Sequence, residues 1–365
     1  MKKVLILTAG FGEGHNSAAR GIRDGLVQIA ANEVEVELHD LFQETYRFLN
    51  DWVRAAYMSM IDHAPFIWAR VYKWLDQKND FHGSFDLFFP VKIYLRRMLA
   101  RLQPDVVVSV YPAYSHLLDD VFGPKGGDFR RVIVVTDSIT INGIWFRCSA
   151  DYLVLPNELT AKVLGTAGVA TGKIKTLGFP VSPRFANVGK ERPLPSEQNG
   201  RRVLYIINSA KSAAPDLVRR LAELPGISLT VTVGRSRRLW RAIEKVRTTC
   251  LHPFELISWS DELPRLLRAT HLLISKAGGA TVQEAIAAAC PLIINRIVPG
   301  QEEGNARLVM ETGSGTVAPS HDAVVAAVQA AFANEGAIWR EWSANIQTLS
   351  RPDASLRIAE FLLSI

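Results

Sequence analysis

Short apolar runs separated by helical repeats mark out the chain. "KVLILTA" opens it as a strand, and from His15 to about Ala31 the apolar positions Ala18, Ile22, Leu26 and Ile29 return at helical spacing. "EVEVELHD" alternates with period two. "DVVVSVY" and "RVIVVTD" are continuous apolar runs of strand length, as expected for strands covered on both faces, and "DYLVLP" and "KIKTLGFP" follow. Residues 183–202 are polar and rich in Pro and Gly, which predicts a linker. The alternation then restarts. Strands "VLYIIN", "SLTVTVG", "FELIS", "HLLISKA" and "PLIINR" are interleaved with helices near 213–223, 238–248, 261–269 and 281–290. Strands alternating with helices predict an α/β protein with parallel, doubly wound sheets. The expected domains are 1–185 and 200–335, followed by a helical tail, 336–365. Two such domains place a ligand cleft between them.

The length of 365 residues agrees with more than one core. Cys148, Cys250 and Cys290 stand far apart with no CxxC pair, so they predict buried thiols in a reducing compartment, and neither a zinc site nor a disulfide framework. No stretch reaches the ~18 apolar residues of a membrane span. Lys2 and Lys3 precede an apolar run, but it stops at Gly10 without a cleavage pattern, so it reads as a strand and not a signal peptide. The formal charge of +6 suits anionic ligands or a membrane surface and is too small to argue for nucleic acid.

The first strand runs into "GFGEGHNSAA". A strand, a glycine loop and a helix present backbone N–H groups at a helix N-terminus, where anions or developing negative charge are favoured. The spacing G-x-G-x-G-H is not the G-x-G-x-x-G of a dinucleotide site, and no acidic residue is expected to close the second strand in the usual way. Both points weigh against a dehydrogenase. His15 at the helix start is predicted to stay neutral, because the helix dipole lowers its pKa. A neutral imidazole can take a proton from a hydroxyl nucleophile. It can equally cap the helix or pack on the loop.

The second dense stretch, Ser275–Gly315, holds a strand ending at Gly278-Gly279, a helix from about Thr281, and the loop "VPGQEEGNA" opening another helix. Two glycine-bearing loops at adjacent strand ends make a pocket of phosphate and sugar size. Glu284 can accept hydrogen bonds from ribose hydroxyls, or serve only as the acid of a T-x-x-E capping box with Thr281. Asp119 and Asp120 are adjacent, do not form a D-x-D metal site, and read as a solvated helix face.

"GFGEGHNSAA", "VVTDSITINGIWF", "ADYLVLPNE", "LGFPVSPRF", "SKAGGATVQEA" and "VPGQEEGNA" stand in this order along most of the chain. Together they resemble the monogalactosyldiacylglycerol synthase and processive diacylglycerol glucosyltransferase family, which is similar to the peptidoglycan N-acetylglucosaminyltransferase. The resemblance implies a GT-B fold, two Rossmann-like domains facing a central cleft. It implies inverting transfer of glucose or galactose from UDP-glucose or UDP-galactose to diacylglycerol, with no metal and no cofactor. By the same resemblance His15 is the catalytic base or positioning residue. Gly278, Gly279 and Thr281 face the diphosphate, Glu284 the ribose, and Gln301 and Glu302 the sugar, while Asn305 supports their loop and Ser258 and Trp259 lie at the uracil. Gly12, Gly14, Asp137, Asn142 and Trp145 fall on the acceptor side, and the final helix crosses back onto the first domain.

Three positions depart from the family pattern. Asn142 stands where a histidine is usual, "IINSAKSAAP" replaces a glycine-rich turn and leaves Asn208, Ser209 and Lys211 to serve there, and Gly10 replaces an aspartate of plant relatives. Residues 46–101 mix aromatics (Tyr46, Phe48, Trp52, Tyr57, Trp68, Tyr72, Trp74, Phe85, Phe88, Phe89) with basic residues. This composition suits either a core or peripheral contact with an anionic membrane at its cytoplasmic face. The alternatives are another lipid acceptor, a UDP-sugar epimerase on the same fold, and a non-catalytic nucleotide-sugar-binding protein.

Overall fold

Every continuous apolar run of the first half lies inside one parallel sheet. In the computed structural model, which describes residues 1–10, 13–47, 86–187, 200–209, 211–300 and 302–365 with isolated positions among 52–77 and 192–196, the elements run β1 (Lys2–Thr8), α1 (Glu13–Ala30), β2 (Val34–Asp40), α2 (Leu41–Tyr46), α3 (Phe89–Leu102), β3 (Val106–Ser109), α4 (Pro112–Phe122), β4 (Arg130–Val134), β5 (Tyr152–Leu155), α5 (Glu158–Thr166) and β6 (Ile174–Thr176). Then come α6 (Arg184–Asn187), β7 (Arg201–Ile206), α7 (Ala214–Ala222), β8 (Ile227–Thr232), α8 (Arg237–Arg247), β9 (Glu255–Ile257), α9 (Leu263–Ala269), β10 (Leu272–Lys276), α10 (Gly279–Ala287), β11 (Leu292–Arg296), α11 (Glu303–Glu311), β12 (Gly315–Val317), α12 (His321–Phe332), α13 (Ala337–Leu349) and α14 (Ala354–Ser364).

The strands form two six-stranded sheets, β2-β1-β3-β4-β5-β6 and β12-β11-β10-β7-β8-β9, with every pairing parallel. The pattern of each strand follows from its place. β3 is interior and buried throughout, so it is apolar throughout; β2 is an edge strand and alternates. In the first sheet the strand order reverses between β1 and β3, in the second between β7 and β10. In open α/β sheets such reversals are where ligands bind, beyond the carboxyl ends of the strands.

Two compact units result. One holds Met1–Pro183, Val298–Gly304 and Arg351–Ile365; the other holds Arg184–Ile297 and Asn305–Ser350. The tail is thus not one piece, since α13 lies in the second unit and α14 in the first. Ile358, Ala359 and Leu362 of α14 share a core with Ile22 and Leu26 of α1. The linker region contains α6 and an antiparallel bridge between Ser196 and Gly200.

The "GFPV" signature has a packing role in the first unit. Phe179 and Val181 are buried, and a Cβ on Gly21 of α1 would lie 1.9 Å from the Pro180 carbonyl oxygen. Only glycine allows that approach.

Two sequence expectations fail in this unit. β2 does end on an acid, Asp40, which caps α2 by accepting from the Gln43 N–H and also accepts from the Gly10 N–H at 2.7 Å, so it braces the opening loop. Asp119 and Asp120 are not a solvated face. Asp119 Oδ1 pairs with Arg131 at 2.7 Å, and Asp120 pairs with Lys92 at 2.8 Å. Their partners come from β4 and α3, which sequence adjacency cannot show. Cys290 is buried, and Cys148 and Cys250 are half-buried.

Candidate functional site

The site residues fall into two groups, one in each unit. In the first unit they gather beyond β1, β3 and β4, at the strand-order reversal. His15 is the third residue of α1, with Gly14 half-buried before it; Gly12 lies outside the described residues. The ring is half-buried, and its Nδ1 sits 2.7 Å from the Val110 carbonyl oxygen and 3.1 Å from Thr136 Oγ1. A carbonyl only accepts, so Nδ1 carries the proton and Nε2 keeps the lone pair. Burial pulls the imidazole down from 6.5 to about 4, while the bond to Val110 works in the opposite direction. The ring is therefore neutral at physiological pH, with desolvation as the main cause where the sequence suggested the helix dipole.

Tyr111 meets the His15 ring edge-on at 5.1 Å, and Trp145 lies 6.0 Å away. Trp145 is buried, and its Nε1 donates to Asp137 Oδ2 at 2.8 Å. This pair forms a fixed wall behind His15. Asn142 is also buried, and its Oδ1 accepts from the Ile144 N–H at 3.1 Å to cap the short helix Gly143–Trp145. Asn142 and Trp145, expected on the acceptor side, thus shape the loop from within.

The segment Val298–Gly304 belongs to this unit. Gln301 lies outside the described residues. Glu302 is buried, and its Oε2 accepts from the Val298 N–H at 3.0 Å, so this carboxylate closes its own loop. A Cβ on Gly304 would lie 1.8 Å from the Ser138 carbonyl oxygen and 2.3 Å from Thr140 Oγ1. We expect Gly304→Ala to force this loop off Ser138–Thr140 and to destabilise the protein by about 1–3 kcal/mol. An unchanged urea midpoint would refute that packing.

In the second unit the group lies beyond β7, β10 and β9. At the reversal, Asn208 Nδ2 donates to Ser275 Oγ at 3.0 Å, so Asn208 ties the ends of β7 and β10 together. The loop that lacks the family's glycines is held there by a side chain. α10 begins at Gly279 with Gly278 as its N-cap in extended conformation, and no side chain caps it. Backbone N–H groups at Gly279, Ala280 and Thr281 are the helix's unsatisfied first donors. Thr281 is the third helical residue and Glu284 the sixth, so the T-x-x-E capping box does not form. The helix starts two residues earlier than expected because extended backbone at Gly278 already provides the cap. Glu284 is half-buried. Asn305 is buried, and its Nδ2 donates to the Ala277 carbonyl at 3.0 Å, joining the start of α11 to the loop before α10.

Ser258 and Trp259 are exposed beyond β9, two strands from β7, or roughly 10 Å at the usual strand spacing. Trp259 Nε1 donates to Asp261 Oδ1 at 3.3 Å, and the Arg235 guanidinium lies 4.3 Å from the centre of its ring.

The residues that sequence reasoning missed are Val110, Thr136, Asp40 and Arg235. Thr136 was legible, since it stands beside Asp137 in the stretch "VVTDSITINGIWF". Val110 acts through its carbonyl, which residue type does not reveal.

Two parallel six-stranded sheets flanked by helices make a GT-B fold. MurG of Acinetobacter baumannii superposes over all of both chains with a TM-score of 0.65 at 12% identity. Residues 15–181 match the family model for monogalactosyldiacylglycerol (MGDG) synthase. A probable chloroplastic monogalactosyldiacylglycerol synthase of Nicotiana tabacum is 26% identical over 98% of this chain and 69% of its own length. The processive diacylglycerol beta-glucosyltransferase of Bacillus subtilis is 23% identical over 99% of this chain and 95% of its own.

Proposed function

We propose that the protein transfers a hexose from a UDP-sugar to the hydroxyl of diacylglycerol with inversion, making a membrane glycolipid. The observation that carries the reading is the tautomer of His15. With Nδ1–H held by the Val110 carbonyl, Nε2 is an acceptor, and no described residue hydrogen-bonds to it. In the proposed step the acceptor hydroxyl gives its proton to Nε2. Its oxygen forms a bond to the anomeric carbon, and the bond from that carbon to the diphosphate breaks. The electron pair leaves with UDP.

The open N–H groups of α10 meet the developing negative charge on the diphosphate. Glu284 accepts from the ribose hydroxyls, Ser258 and Trp259 hold the uracil, and Gln301 contacts the sugar. Glu302 and Asn305 act as positioning residues. The UDP-sugar is a substrate, and no part of the step calls for a cofactor.

The named relatives support diacylglycerol as acceptor. A peripheral site at the cytoplasmic face of a membrane suits α3. Its Val91, Leu95, Met98 and Leu99 are buried, while Phe89 and Ile93 are exposed beside Arg96 and Arg97. Trp52 and Phe66 are exposed as well, Tyr46 and Phe88 pack against the core, and Phe48, Tyr57, Trp68, Tyr72, Trp74 and Phe85 lie outside the described residues. Among the described residues no helix is long and apolar enough to cross a membrane.

The test is turnover with UDP-glucose and with UDP-galactose over vesicles containing diacylglycerol and an anionic lipid. A glycolipid from either donor supports the reading, and none from both rejects it. Glu284→Ala should weaken UDP binding by about 1.5–3 kcal/mol, at least tenfold, since a charge-assisted bond is lost. Calorimetry with UDP checks this, and unchanged affinity would remove Glu284 from the donor site.

A further inference from the structure

A second cationic feature of the second unit lies apart from the residues assigned to the donor. α7 and α8 enclose a groove of about 630 Å³ lined by Arg219, Arg238, Arg241 and Lys245 over a floor that includes Ala242 and Val246. All four cationic residues are exposed, and none forms an ion pair with a described residue. Three of the nearby acids are engaged elsewhere: Glu244 with Arg247 at 2.8 Å, Asp216 with His321 at 2.8 Å, and Asp322 with Arg220; Glu223, four residues after Arg219, leaves the cluster with a net positive charge. Along α8 the cations recur at 238, 241 and 245, one helical face, while Leu239 and Ile243 on the other side are buried in the unit's core. Like charges at these spacings oppose helix formation, so packing holds them together against their own repulsion. Guanidinium forks in such a cluster match phosphate oxygens.

We propose that the α7–α8 groove binds clustered phosphate groups, either a soluble diphosphate or the headgroups of anionic lipid. Four positive charges answer two adjacent phosphates. The site is independent of the glycosyl-transfer reading, because none of its residues takes part in that step.

Two probes separate the sources. Calorimetry with inorganic pyrophosphate reports soluble phosphate, and any binding at the donor site persists in the groove variants and is subtracted. Flotation with phosphatidylcholine vesicles, with and without phosphatidate, reports headgroups. Wild-type protein is compared with Arg238→Glu/Arg241→Glu, and with Arg238→Lys/Arg241→Lys as the charge-conserving control. The expected result is binding of at least one probe that weakens at least tenfold in the glutamate variant, is largely kept in the lysine variant, and falls as salt rises. Loss of pyrophosphate binding alone assigns a soluble ligand; loss of vesicle binding, with or without pyrophosphate, assigns lipid. Failure of wild-type protein to bind either probe overturns the proposal. So does a glutamate variant that binds both probes like wild type.

Discussion

Replacing His15 by alanine is expected to lower turnover by about 10²–10⁴-fold, the usual contribution of a positioned general base. UDP affinity should barely change, because His15 belongs to the first unit while the residues proposed for the diphosphate, ribose and uracil belong to the second. The pH profile carries a sharper signature. With the ring held at about 4, kcat/KM of the wild type should keep its basic form well below pH 6.5, with an acid limb near 4. Stability moves in the same window. The folded ring binds its proton more weakly than the unfolded ring, so between pH 6.5 and 4 the unfolded chain takes up protons that the folded chain refuses. Folding stability therefore falls as pH drops, by at most about 3 kcal/mol from this group. Urea unfolding at stepwise lower pH should show that slope in the wild type and a flatter one in His15→Ala. Full turnover by the variant would end the assignment of His15 as base.

The largest loss of stability is expected from Asp119→Ala. Arg131 is buried, with its side chain 7% exposed; it pairs with Asp119 Oδ1 and also donates to the Gly123 and Gly126 carbonyls. The other carboxylate oxygen of Asp119 accepts from the Ser149 N–H at 2.8 Å. Removing Asp119 leaves a desolvated guanidinium with carbonyls alone, a change that costs about 3–5 kcal/mol when one partner of a buried pair is deleted. The urea midpoint of the first unit should fall accordingly. Turnover should fall with it, since Ser149 ends the loop that carries Trp145, the wall behind His15. A shift below about 1 kcal/mol would show that the pair is solvated in solution.

Much of the fold was legible because burial on two faces leaves a plain signature. β1, β3 and β4 read as unbroken apolar runs, and β2 alternates because it is an edge. The two loops that hold the candidate residues were legible for a related reason, since glycine loops between strand and helix mark the carboxyl ends of a parallel sheet. What escaped depends on contacts across the chain. The start of α10 was misplaced because Thr281 and Glu284 fit a capping box, whereas Gly278 begins the helix. The bond from the Val298 N–H to Glu302 was not legible, because a tight turn that brings an acid to its own backbone has no distinct residue pattern. The partners of Asp119 and Asp120 lie many residues away. The brace of His15 is a main-chain carbonyl, identical in every amino acid.

The pairing of α14 with α1 sets an order of assembly. Arg351–Ile365 completes the first unit, yet it is synthesised after all of the second. During translation the helix bearing His15 therefore waits with Ile22 and Leu26 lacking their α14 partners while the second unit emerges and folds. The helix that carries His15 is thus fixed late, and a nascent chain can complete its second unit before its first.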